Sequence, residues 1–386
     1  MKKRLFSLVL LVLIGTGGML SGCGAVQEEP VRIGLIAYLQ GDGITIESSG
    51  QPTLNGAELA VQQINESGGL RVAGRQHPVE LVVIPIENGV ANAVDAARSL
   101  IIERGVVAIV GPQYSGDAIA AAQIAEDAGI PLLSGTSTNP RTTENRRFIF
   151  RMAFTDTFQA ETLAKLAYED LRARRVAVLY DSTDTYSNDL GLFFGATFAN
   201  LGGEVVASES FESGNWNMDA QFKRILDANP DLVFLPVYPA EAIFQAGSLR
   251  KMGYNGILLG GDGWNPPSLV NLPAFEGSFA STTYSEKVTT PQNQVFVRAY
   301  LDAYNISPVD AAGLTYDAFQ MIFAAIEMQG SFDPLDIRDG LYSLPQYVGV
   351  SGPIDFVTNG DPVKPLNILF FEAGEVKFYK AIQPER

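Results

Sequence analysis

Only one cysteine and one histidine stand in the 386 residues. Those two scarcities exclude a good deal of chemistry. Nucleophilic catalysis of the Ser-His-Asp or Cys-His kind needs a histidine oriented by the fold beside its partners, and a zinc site needs several Cys or His ligands. His77 lies in the turn-like stretch Ala73-Gly74-Arg75-Gln76-His77-Pro78 and reads as an exposed loop residue. Catalysis by carboxylates or lysine stays open, but the chain is expected to be no enzyme and to hold no metal or cofactor. Cys23, being alone, forms no intramolecular disulfide. Positive charge is also scarce: 27 Lys and Arg stand against 43 Asp and Glu, a net charge of −16. Such a surface repels phosphate backbones, so nucleic acid is not an expected partner. Long apolar runs are missing too. The greasiest stretch, residues 5–14, is far short of the roughly 20 residues a spanning helix needs.

That short run is preceded by Lys2, Lys3 and Arg4 and followed by small residues, the layout of a secretory signal peptide. Leu20-Ser21-Gly22-Cys23 resembles the lipobox of bacterial lipoproteins, in which the cysteine accepts a diacylglyceryl group and becomes the new N-terminus. An ordinary signal peptide with an incidental Cys is the plainer alternative. The lipobox resemblance implies a signal peptide over 1–22, a lipidated tether over 23–30, and an exported protein, periplasmic or at the cell surface, held to a membrane only through Cys23. Loss of the three N-terminal cations takes 27 basic residues to 24 against 43 acidic ones, a net charge of −19.

From residue 31 short β-branched runs alternate with helical patterns. Residues 31–37, 79–85, 106–110 and 130–133 read as strands, and 55–67, 91–103 and 116–128 as helices. Near-continuous apolar strands between amphipathic helices indicate a parallel sheet covered on both faces. The pattern then restarts, with strands over 175–180, 205–208, 231–237 and 257–259 and helices over 188–201, 219–228 and 240–252. Helices over 295–303 and 312–328 and strands over 367–371 and 375–380 complete the chain. About 360 mature residues exceed the usual size of one core. The expected fold is therefore α/β, with two Rossmann-like, doubly wound parallel-sheet lobes. Ligands of such sheets bind beyond the carboxyl ends of the strands. No G-x-G-x-x-G opens a helix and no P-loop is present, which argues against a nucleotide-dependent enzyme.

Several segments carry a more specific likeness: Gly111-Pro112-Gln113-Tyr114-Ser115-Gly116, Ala128-Gly129-Ile130-Pro131, Ser134-Gly135-Thr136-Ser137-Thr138-Asn139-Pro140, Val178-Leu179-Tyr180-Asp181 and Leu259-Gly260-Gly261-Asp262-Gly263. In this order and spacing the chain resembles the type I periplasmic binding proteins, in particular the branched-chain amino acid receptors of ABC transporters. The resemblance implies a monomer of two lobes joined by a three-crossing hinge, with lobe 1 over 31–154 plus 284–348 and lobe 2 over 155–283 plus 349–386. It implies capture of an amino acid by cleft closure and its delivery to an ABC transporter permease. The same fold also takes neutral ligands, so urea, a short amide or another small metabolite is the alternative.

Carried over by position, the resemblance assigns the ligand carboxylate to Ser115, carboxylate and ammonium contacts to Thr136 and Thr138, and the ligand ammonium to Asp262. As residue types, Ser115 serves equally as a helix cap and the two threonines as turn formers. Asp262, between glycines, suits a solvent-facing turn as well as a charge-assisted bond to an ammonium. Tyr186 and Tyr238 match pocket tyrosines whose faces cover the ligand, and Trp264 is a further candidate wall. The first loop, residues 38–51, is longer than the turn the family uses, and it lies where a ligand side chain is enclosed.

Overall fold

The structure, a computed structural model, describes residues 28–356 and 359–384; Cys23 and the expected signal peptide lie outside them. Among the described residues no helix is long and apolar enough to cross a membrane.

Five strands form the first sheet: β1 (Val31–Tyr38), β2 (Val79–Ile86), β3 (Ala108–Val110), β4 (Leu132–Ser134) and β5 (Ile149–Arg151). They are all parallel, in the order β2-β1-β3-β4-β5. β1 is buried at every position but Arg32, as a central parallel strand covered on both faces must be. Its two faces feed separate cores. Leu35 and Ala37 pack with Leu314, Ala318 and Ile322, while Ile36 and Tyr38 pack with Ala97, Leu100 and Ala121.

The second sheet has seven strands: β6 (Arg175–Asp181), β7 (Glu204–Phe211), β8 (Leu232–Leu235), β9 (Ile257–Gly260), β10 (Phe279–Thr282), β11 (Leu366–Glu372) and β12 (Glu375–Ile382). Their order is β12-β11-β10-β9-β8-β6-β7. The five central and outer strands from β10 to β7 are parallel, and β11 and β12 extend one edge antiparallel. Both faces are again covered, by Leu190, Phe194 and Phe198 on one side and Phe222, Leu249 and Trp264 on the other.

Six helices position the residues between the two sheets: α1 (Gln51–Glu66), α2 (Ser115–Ala128), α3 (Asp156–Lys165), α4 (Thr185–Asn200), α5 (Pro239–Lys251) and α6 (Asp310–Gln329). The long first loop is not a loop. Gly43–Thr45 and Ile46–Gly50 wind helically and run straight into α1, with Asp42 Oδ1 accepting the N–H of Thr45 at 2.8 Å as the cap. Glycines, serines and threonines hide this turn from a propensity reading. Gly50 is required there, since a Cβ on it would stand 1.7 Å from the Tyr38 carbonyl oxygen. His77 is not in a loop either: it ends a short hairpin strand, and its ring meets Phe332 edge-on at 4.9 Å.

The chain leaves the first sheet after Arg151 and enters the second lobe's core at Phe154, then returns between Thr282 and Pro291. The third passage comes later than residue 348. Ile354 and Phe356 are packed in the first lobe's core, so the return to the second sheet falls between Phe356 and Leu366.

Candidate ligand-binding site

The carboxyl ends of β3 and β4 lead into two loops that lie side by side. Gln113, almost wholly buried, ties them together. Its Nε2 donates to Thr53 Oγ1 (3.1 Å) and Thr315 Oγ1 (3.0 Å), and its Oε1 accepts the N–H of Thr136 at 2.9 Å. Thr136 Oγ1 donates back to the Gln113 carbonyl oxygen at 3.1 Å. Ser115 opens α2, where the first backbone N–H groups of a helix have no partner inside it and attract anions. Its hydroxyl accepts from Ser137 Oγ at 3.3 Å and from the Asn139 N–H at 3.4 Å. The whole hydroxyl-rich loop is anchored from below by Arg151, fully buried, which donates to Asp361 Oδ1 (2.6 Å), Thr143 Oγ1 (2.7 Å) and the carbonyls of Ser137 and Pro140 (both 3.2 Å).

Across the gap, Asp262 follows β9 and is 7% exposed. Its Oδ1 accepts from Gln159 Nε2 and from the Tyr186 hydroxyl, both at 2.9 Å. Its own N–H donates to Gln159 Oε1 at 2.9 Å, and the Gly263 N–H donates to the Tyr186 oxygen at 3.0 Å. The carboxylate is thus oriented from α3 and α4 together. Gly261 makes this approach feasible, because a Cβ there would stand 2.3 Å from the Tyr186 hydroxyl. Burial pushes the Asp262 pKa up to about 6, against the hydrogen bonds from Gln159 and Tyr186.

Ser115, Thr136, Tyr186, Tyr238 and Asp262 line one cleft between the lobes. Thr138 does not. It is 1% exposed, its carbonyl oxygen accepts the Asp156 N–H at 2.7 Å, and neither its Oγ1 nor Asp156 Oδ2 has a hydrogen-bond partner. Trp264 is no wall: it is fully buried in the second lobe's core, and its Nε1 donates to the Leu235 carbonyl oxygen at 2.9 Å.

The cleft also has walls that sequence reasoning did not single out: Ser48, Ser49, Gln113, Tyr114, Asn265, Asp310 and Ala311. Asp310 begins α6, with its Oδ1 accepting the N–H of Ala311 at 2.8 Å. Burial, and then the charge of Asp262, raises its pKa to about 7. Asp156, wholly buried just behind, is pushed up by the same two causes. Among the described residues, no Lys, Arg or His lines the cleft.

Closure is visible in the contacts between lobes. Tyr38 and Tyr114 of the first lobe stack at 4.5 Å, Tyr114 stacks on Tyr238 of the second at 4.3 Å, and Tyr238 on Tyr186 at 5.3 Å. Asn265 Nδ2 donates to the Ser48 carbonyl oxygen at 3.2 Å. Asp189 Oδ2 of α4 accepts from Asn139 Nδ2 and Arg141 Nη2, each at 2.8 Å. Beyond Tyr114 and Tyr238 lies an adjoining space between the lobes, lined by Asp42, Asp181, Asp184 and Glu241 among others.

Comparison with known proteins gives this geometry a context. The model of a family described as periplasmic binding protein matches residues 30–374. A Leu/Ile/Val-binding protein of Rhizobium johnstonii is 28% identical over 361 residues, covering 91% of this chain and 94% of its own length. The crystal structure of a leucine binding protein from Thermotoga maritima superposes with a TM-score of 0.84 at 31% identity, covering 92% of this chain and 99% of that one. A branched-chain amino acid transporter substrate binding protein from Streptococcus pneumoniae, solved with isoleucine, gives a TM-score of 0.83 at 26% identity over 92% and 100% of the two chains.

Proposed function

The chain belongs to the periplasmic binding protein family, and from that premise we propose that it captures an amino acid by closing its lobes and delivers it to an ABC transporter permease. One observation carries this reading. The start of α2, with the hydroxyls of Ser115 and Thr136, lines the same cleft as the carboxylate of Asp262 from the other lobe. Unpaired N–H groups at a helix start suit the ligand carboxylate, and a buried carboxylate suits its ammonium. Ser115 and Asp262 stand on opposite lobes, so a zwitterion held by both binds the closed form better than the open one and shifts the hinge equilibrium toward closure.

Thr138 acts on this reading from behind the loop, holding α3 through the Asp156 N–H rather than touching ligand. Tyr186 orients Asp262, and Tyr238 lies between Tyr186 and Tyr114 in the inter-lobe stack. The receptor is exported as a monomer and tethered through a lipidated Cys23, which lies outside the described residues. Titration calorimetry of the ligand-stripped protein against a panel of amino acids tests the central point. Binding of at least one member with micromolar or better affinity is expected, and silence across the panel refutes it. Replacing Cys23 by Ala is expected to move the protein from the membrane fraction to the soluble exported fraction.

A further inference from the structure

The walls of the cleft carry information about the ligand's side chain. None of them is Leu, Ile, Val, Met or Phe; apart from three tyrosines, Pro239, Gly263 and Ala311, every one bears a hydroxyl, amide or carboxylate. An aliphatic ligand side chain gains its affinity from apolar walls, and here it would strand polar groups away from water. Two of those groups are left short, one of a hydrogen bond and the other of a counter-ion. Asn265 is 8% exposed and its Oδ1 is buried without a hydrogen bond, while its Nδ2 is spent on the Ser48 carbonyl. Asp310 faces the same cleft as Asp262, and among the described residues no cation lines it to balance the two.

The charges can be counted. An amino acid with a neutral side chain brings one ammonium, which Asp262 receives, and one carboxylate for the start of α2; Asp310, held toward its protonated form by burial and by the charge of Asp262, is then left without the counter-ion that would let it ionise. A second cationic group on the ligand removes that imbalance. The adjoining space beyond Tyr114 and Tyr238 has four carboxylates and, among the described residues, again no Lys, Arg or His in its walls, so both spaces favour positive charge.

We propose that the ligand is a short amino acid with a cationic side chain, whose second amino group is received by the carboxylate of Asp310 and by Asn265 Oδ1. This rests on the amino acid reading above and narrows it, away from the aliphatic ligands of the relatives. Asp310 begins a helix on one lobe and Asn265 follows β9 on the other, so the second amino group bridges the lobes.

The test compares ornithine and 2,4-diaminobutyrate with norvaline and 2-aminobutyrate, which have the same side-chain carbons without the terminal amine, by calorimetry on the unaltered, ligand-stripped protein. The diamino acids are expected to bind about 100-fold more tightly than their neutral counterparts, the loss typical of an unpaired buried charge. Asp310→Asn is expected to shrink that ratio to less than tenfold. Equal or tighter binding of norvaline, or of leucine, overturns the inference while leaving the amino acid reading intact. So does an Asp310→Asn protein that folds and keeps the full ratio. Silence toward every amino acid, basic or neutral, overturns both.

Discussion

Asp262→Asn separates stability from binding, because the two effects carry opposite signs. In the empty protein the carboxyl has a pKa of about 6 against an ordinary value of 3.8, raised chiefly by burial. A carboxyl whose folded pKa is raised holds its proton more tightly in the folded state, so folding is weakened as pH rises through the window from about 4 to 6. At 1.36 kcal/mol per pKa unit, the penalty above pH 6 reaches about 3 kcal/mol. Asparagine removes it while its Oδ1 still accepts the bonds from Gln159 and Tyr186. The ligand-free variant is therefore expected to melt a few degrees above the parent at pH 8 and level with it near pH 3.5. Ligand binding moves the other way. Loss of a buried carboxylate–ammonium pair costs about 3 kcal/mol, on the order of 150-fold in Kd. Differential scanning calorimetry of stripped protein at the two pH values, with isothermal titration at pH 8, reads both quantities. A variant that melts lower than the parent when empty, or that binds within threefold of it, refutes the reasoning.

Other substitutions probe the supports of the site. Arg151→Met abandons Asp361 and Thr143 and is expected to lower urea stability by about 3–5 kcal/mol; a loss below 1 kcal/mol argues that the loop holds itself. Gly50→Ala drives a methyl into the Tyr38 carbonyl and is expected to destabilise by about 1–3 kcal/mol or more, as judged by thermal melting. Tyr238→Ala deletes the one ring stacking that joins the lobes, about 1 kcal/mol, and is expected to weaken ligand binding roughly fivefold, chiefly through faster release in stopped-flow traces. Asp189→Ala removes the acceptor shared by Asn139 and Arg141; about 1 kcal/mol is expected, near fivefold in release rate and shrinking with added salt, whereas an unchanged rate means the latch contributes nothing to closure.

Much of the architecture was legible because strand and helix periods alternate so regularly. The helix expected over 116–128 is Ser115–Ala128, and the strand expected over 175–180 is Arg175–Asp181. Elements too short to show a period were not legible, such as Ile149–Arg151 and Phe279–Thr282, both wholly buried. The candidate site divides in a similar way. Residues at the carboxyl ends of strands, Ser115 and Asp262 among them, could be located because topology leaves little choice about where such loops go. Which way a side chain points within the loop is set by local turns, so Thr136 lines the cleft while Thr138, two residues on, is buried behind it. Asp310 is 48 positions from Asp262 and begins a helix outside both Rossmann-like series, so only tertiary packing brings them together. A detectable signal did exist: an acidic residue opening a long apolar helix after Ser307-Pro308-Val309.

The four stacked tyrosines have a practical consequence. Two rings ride on each lobe, and only the Tyr114–Tyr238 contact joins them. When the halves part, one ladder of four coupled chromophores becomes two isolated pairs, and the near-ultraviolet dichroism of the molecule changes with it. The molecule therefore carries its own spectroscopic gauge of whether it is loaded, with no dye or tag attached.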